Sequence, residues 1–120
     1  MRHLKEGRKL GRVSSQRKAL FRTMLGSLIM REKIKTTEAK AKEVKIKIDR
    51  IINKAKKAET VGGKVTVMRD LKKFIPDTAT KKLMGEFISR FKERKSGYAT
   101  LVKLPRRKSD GAKMAIVEFV

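Results

Sequence analysis

Apolar residues along this chain recur first at three- and four-residue steps and then, near the C-terminus, at every second position. Between Ser15 and Arg31, Leu20, Met24 and Leu28 form one i, i+4 ridge and Phe21, Leu25 and Ile29 the next, which predicts a helix with a broad buried stripe. Ser14 and Ser15 are its expected N-caps. Gly26 and Ser27, on the edge of the stripe, allow another element to pack closely. Lys33-Ile34-Lys35-Thr36 reads as a short extended segment at a sheet edge. Thr37 is then placed to cap a second helix, in which Ala41, Val44, Ile48, Ile51, Ile52 and Ala55 keep the helical step. Thr60-Val61-Gly62-Gly63 breaks the pattern, and a shorter helix follows from Lys64 to about Lys73 with Val67, Met68 and Leu71 inward. Asp77 is expected to cap a fourth helix carrying the ridge Ala79, Leu83, Phe87 and Phe91, which ends before Gly97.

From Tyr98 the period changes to two. Tyr98, Thr100, Val102 and Leu104 alternate with Ala99, Leu101 and Lys103, and Met114, Ile116 and Glu118 alternate with Ala115, Val117 and Phe119, which predicts an antiparallel hairpin. Its connection, Pro105 to Ala112, is too long for a tight turn and holds Arg106, Arg107 and Lys108 before Asp110-Gly111, so it reads as an exposed basic finger. The pattern as a whole describes a two-layer α+β domain of four helices and a small sheet over residues 14–120.

Residues 1–13 follow neither period. Arg2, Lys5, Arg8, Lys9 and Arg12 are opposed only by Glu6, and Leu4, Leu10 and Val13 are too few to bury a face. Such a segment is expected to be a disordered basic arm that becomes fixed only on a polyanion. The cations continue onto the first helix as Arg17, Lys18 and Arg22. The second helix has a cationic face too, with Lys40, Lys47, Arg50, Lys54 and Lys57, relieved by pairs such as Glu43 with Lys47.

Charge turns this pattern into a statement about partners. Lys plus Arg number 34 against 12 Asp plus Glu, a formal charge of +22 that exceeds any need of solubility and points first to nucleic acid. With 120 residues, one domain suffices. The apolar runs Met24-Leu25 and Leu28-Met30 are split by Gly26-Ser27 and cannot form a spanning helix. No membrane partner is therefore expected.

Catalysis finds little material. Cysteine is absent and His3 is the sole histidine, so a thiolate or His-rich metal site and a nucleophile–base pair both lack their parts. The acids lie scattered among lysines, as local charge balance requires. Gly62-Gly63-Lys64 lacks the spacing of a phosphate loop. No cofactor, metal or small-molecule substrate is expected. One tyrosine and no tryptophan argue against stacked single strands, and the phenylalanines are assigned to the core. Recognition would then rest on phosphates and shape, with arginine preferred for its bidentate grip.

The opening residues also carry a resemblance. Met1-Arg2-His3, Lys5, Gly7-Arg8, Leu10, Arg12, Ser14-Ser15, Arg17, Ala19, Arg22, Ser27-Leu28, Ile34, Thr36-Thr37 and Ala41-Lys42-Glu43, with Gly97-Tyr98, Lys103 and Met114 to Glu118 at the other end, resemble the bacterial large-subunit ribosomal protein L17 family. Gln16 stands where that family usually has His, and Thr23 where it usually has Asn. The resemblance implies a helix, a strand, three helices and two strands, with the Ile34 segment joining the hairpin in a three-stranded mixed sheet. It implies a structural constituent of the large subunit near the polypeptide exit that braces ribosomal RNA, beside neighbouring ribosomal proteins. Arg2, His3, Lys5, Arg8, Lys9, Arg12, Ser15, Arg17, Lys18, Arg22, Arg106, Arg107 and Lys108 are the expected RNA contacts. Charge alone would also suit a histone-like protein that compacts duplex DNA, and the second helix a membrane-surface binder, were its apolar stripe not needed for the core.

Overall fold

In the computed structural model, which describes residues 7–58 and 63–120, helix α1 spans Ser14–Arg31 and buries Phe21, Leu25, Gly26, Leu28 and Ile29. The second predicted ridge and Leu28 form the buried stripe, while Leu20 and Met24 lie at its margin. A Cβ built on Gly26 would stand 2.7 Å from Cδ of Pro76, so the glycine is what lets the following helix pair close. Glu32, at φ 65°, ends α1 in the left-handed region, and its amide donates to the Leu28 carbonyl. Its carboxylate meets Arg90, and also Lys82 at 3.8 Å.

Strand β1 (Lys33–Thr37) leads directly into α2 (Glu38–Lys56), which buries Ala41, Glu43, Val44, Ile48, Ile51, Ile52 and Ala55. Next come α3 (Lys64–Leu71), α4 (Asp77–Leu83), a 3-10 helix (Glu86–Phe91), and strands β2 (Ala99–Leu104) and β3 (Met114–Phe119). The single fourth helix expected from the ridge is therefore two pieces. Gly85 interrupts it, being a poor helix former, and Phe87 and Phe91 turn into an aromatic cluster with Phe119 and Tyr98 at centroid distances of 5.0–5.5 Å. All four ridge residues are buried all the same.

The sheet order is β1-β3-β2, and both pairings are antiparallel, with Ile34 and Leu101 each opposite Val117. The expected mixed sheet is corrected here. Because β3 returns between its neighbours, β1 and β2 run the same way but never touch, and no parallel ladder forms. Ala99, Ala115, Val117 and Phe119 face the helices and complete the core.

Thr37 holds the N-cap position of α2 as expected, whereas Val13 and Pro76 take the positions expected of Ser14 or Ser15 and of Asp77; all three are extended, and none makes a side-chain cap bond. At α2 an orphan amide is met differently, Glu38 N–H donating to the Lys113 carbonyl at 2.9 Å, which ties the helix start to the base of the hairpin. Asp77 is the first residue of α4, where its charge favours the positive end of the helix.

Candidate nucleic-acid interface

The cations on α1 and α2 reach one another across a groove. Residues 18 and 22 are one turn apart on α1, and 47, 50 and 54 fall at i, i+3 and i+7 on α2, so packing the two helices' apolar faces together brings these flanks side by side. The resulting groove, about 600 Å³, is lined by Ser14, Arg17, Lys18, Phe21, Arg22 and Leu25 of α1, by Lys47, Arg50, Ile51 and Lys54 of α2, and by Lys73 and Phe74 just after α3. Seven of these residues are cations, and none is acidic. Mutual repulsion in a low-dielectric cleft makes such a site a sink for anions.

Its lining includes two aromatic rings. The Lys47 ammonium lies 4.8 Å from the Phe21 ring centroid and that of Lys54 4.3 Å from Phe74. Arg22 donates to the Lys72 carbonyl at 3.4 Å, and Arg17 to the Arg12 carbonyl at 3.0 Å, which orients both guanidinia while leaving donors for a ligand. The hydroxyl of Thr23 is taken by the Ala19 carbonyl at 3.1 Å.

Of the arm, Arg2, His3 and Lys5 lie outside the described residues. Residues 7–13 lie against the domain through contacts that the apolar pattern does not announce. Leu10 packs against the core, and Arg8 donates to the buried carboxylate of Glu43 at 2.8 Å. Among the described residues Glu43 thus takes Arg8 as its ion-pair partner in place of the expected Lys47. Arg12 bonds back to the Leu10 carbonyl at 2.8 Å, closing a turn in which Leu10 and Gly11 both have positive φ. Lys9, Ser15 and Lys18 are exposed.

The hairpin tip presents Arg106, Arg107 and Lys108, all exposed, beside a shallow recess of about 350 Å³ that also includes Lys35, Leu104, Pro105 and Met114. The three cations are not equivalent. Arg107 grips Asp110 bidentately at 3.0 and 2.7 Å, and the Ala112 amide donates to the same carboxylate at 3.1 Å, so Arg107 shapes the tip while Arg106 and Lys108 project from it. The guanidinium first, and the amide second, hold the Asp110 carboxyl down at about 2. Lys56 has internal work as well. It donates to the hydroxyl of buried Tyr98 at 3.0 Å and to the Arg94 carbonyl, while that hydroxyl reaches Asn53 at 2.6 Å and the Tyr98 amide reaches Asp49 at 3.1 Å. These bonds latch the start of β2 to α2.

The groove thus gathers Arg17, Lys18 and Arg22 from the expected set, and adds Lys47, Arg50, Lys54, Lys73 and Phe74. The i, i+3, i+7 spacing on α2 was the available signal for three of these; for Lys73 and Phe74 there was none. Among the described residues no group of three or more His, Cys, Asp or Glu is placed to hold a metal, and no helix is long and apolar enough to cross a membrane.

A two-layer α+β domain with a groove that gathers seven cations and no acid has the build of a small, basic structural protein. The family model for Ribosomal protein L17 matches residues 20–120. Proteins named large ribosomal subunit protein bL17 are similar throughout: that of Chloroherpeton thalassium is 43% identical, covering 100% of this chain and 69% of its own length. That of Staphylococcus carnosus is 42% identical, covering 94% and 98%, and that of Pelobacter propionicus 40%, covering 100% and 91%. The chain belongs to the ribosomal protein L17 family. It is a structural constituent of the large ribosomal subunit, not an enzyme, and is cytoplasmic as part of the ribosome.

Proposed function

We propose that the protein binds and braces large-subunit ribosomal RNA, with the α1–α2 groove as its principal contact and the arm and hairpin tip as outlying ones. The observation that carries this reading is the groove's lining: seven cations from α1, α2 and the segment after α3 converge with no acid among them. Such a site neutralises several phosphates at once and releases their counterions, which is the main source of affinity for a polyanion. The arm approaches the same region, since Arg12 is hydrogen-bonded to Arg17 of the groove. Arg106 and Lys108, projecting from the tip, suit a second stretch of backbone. The partners would be ribosomal RNA and adjoining ribosomal proteins, at a place near the polypeptide exit as the family resemblance implies.

Competition at matched salt tests the binding claim. Labelled large-subunit RNA should be displaced by unlabelled ribosomal RNA at far lower concentration than by duplex DNA; equal displacement would favour a DNA-compacting protein instead. Cross-linking of assembled subunits that carry a nascent chain tests the placement, and links to RNA remote from the exit alone would refute it.

A further inference from the structure

Four of the five phenylalanines are buried, but Phe74 is 44% exposed and stands in the wall of the basic groove. The ring is not loosely hung. The amides of Phe74 and Ile75 both donate to the Leu71 carbonyl, at 2.9 and 3.0 Å, and Ile75 is fully buried, so a fixed turn holds the ring out while its neighbour anchors the core. Burial therefore offers no account of why the aromatic face is there. Around it lie Lys54, with its ammonium 4.3 Å from the centroid, and Arg22, Arg50 and Lys73. A cleft of about 600 Å³ falls within the roughly 300–1,000 Å³ that accommodate small organic ligands.

We propose that this groove seats one unpaired nucleotide of the bound RNA, its base stacked on Phe74 and its flanking phosphates held by Arg22, Arg50 and Lys54. The inference rests on the chain binding ribosomal RNA through this groove, and goes beyond it in assigning a contact that a fully paired helix cannot make. A flat aromatic face matches any base, and the Lys54 ammonium, which lies over the ring in the free protein, moves with the neighbouring cations onto the phosphates on either side; a continuous duplex keeps its bases stacked inside and leaves Lys54 over the ring. The expectation that phenylalanine serves only the core is replaced at this position.

The full-length protein and two variants, Phe74→Leu and Phe74→Trp, are titrated with an RNA hairpin carrying one bulged nucleotide and with the same hairpin fully paired, thermal melting being recorded for each protein. The wild type should bind the bulged hairpin more tightly. Phe74→Leu should weaken that binding by roughly 5- to 100-fold, the range of one stacked base, with binding to the paired hairpin unchanged, and Phe74→Trp should retain the preference. If the wild type binds both hairpins equally, with affinity that falls steeply with salt, the nucleotide pocket is refuted while RNA binding stands. If it binds neither, the RNA-binding reading has failed and the pocket with it. An equal loss on both hairpins in a leucine variant that melts normally would also overturn the stacking role.

Discussion

Gly26 is the smallest residue with the clearest structural duty in this molecule. Its missing side chain is replaced by the ring of Pro76, and an alanine Cβ would lie 2.7 Å from Cδ and 2.9 Å from Cγ of a ring too stiff to swing away. Gly26→Ala gains helix propensity but forces α1 and α4 apart, so it should destabilise the protein by about 1–3 kcal/mol, read as a lower denaturant midpoint at unchanged slope. A more stable variant would mean that the packing is looser than described. The role of this glycine was legible in the sequence, because a Gly-Ser pair on the edge of an apolar stripe admits few other readings. The partner of Glu43 was not: the i, i+4 rule sees Lys47, whereas burial of the carboxylate beside the arm brings in Arg8, 35 residues away. Local rules rank local partners only. The same limit hid Phe74, whose exposure is decided by its neighbour Ile75 taking the core position.

At the scale of elements, the hairpin tip is ordered by one carboxylate. Asp110 titrates at about 2 in the folded chain against an ordinary 3.8, chiefly because Arg107 hydrogen-bonds its ionised form and secondly because the Ala112 amide does. A depressed acid favours the folded arrangement above its ordinary value, and that preference is lost as pH falls through the folded one. The tip should therefore stay closed at pH 4 and open between about 4 and 2, followed by the Asp110 carboxyl resonance and the Ala112 amide. Asp110→Asn should open the tip at neutral pH with little change in melting temperature, since the pair lies at the solvent-exposed end of the hairpin. Opening at or above pH 4 would contradict the pairing. Most elements were readable from periodicity: α1, α2, α3 and both hairpin strands fall within a few residues of their expected spans. The single fourth helix and the side-chain caps were not. Gly85 broke the ridge, whose far half turned into the aromatic cluster, and a carbonyl from the hairpin connection, that of Lys113, took over the bond expected of the Thr37 side chain. At Thr37 a tertiary contact replaced the local one, while at Gly85 the low helix propensity of glycine broke an otherwise continuous period.

For the whole molecule, the charge of +22 told the kind of partner but not where it binds. That needed the packing of α1 on α2, which turns two unremarkable cationic flanks into one groove, while Tyr98, Glu43 and Asp110 give Lys56, Arg8 and Arg107 internal partners elsewhere in the molecule. The alternation of the last strand divided it into two sets without choosing between them, and packing on the helices makes Ala115, Val117 and Phe119 the buried one.

The most direct test of the groove as the RNA-binding face is the salt dependence of affinity for large-subunit ribosomal RNA, compared between the wild type and the triple variant Arg22→Gln, Arg50→Gln, Lys54→Gln. Each phosphate contact contributes roughly 0.7–0.9 to the slope of log affinity against log salt. Loss of three contacts should lower that slope by roughly 2 to 3 and weaken binding most at low salt, with melting little changed, because these side chains line a surface and none belongs to the core. A variant with the wild-type slope and wild-type affinity would contradict the assignment.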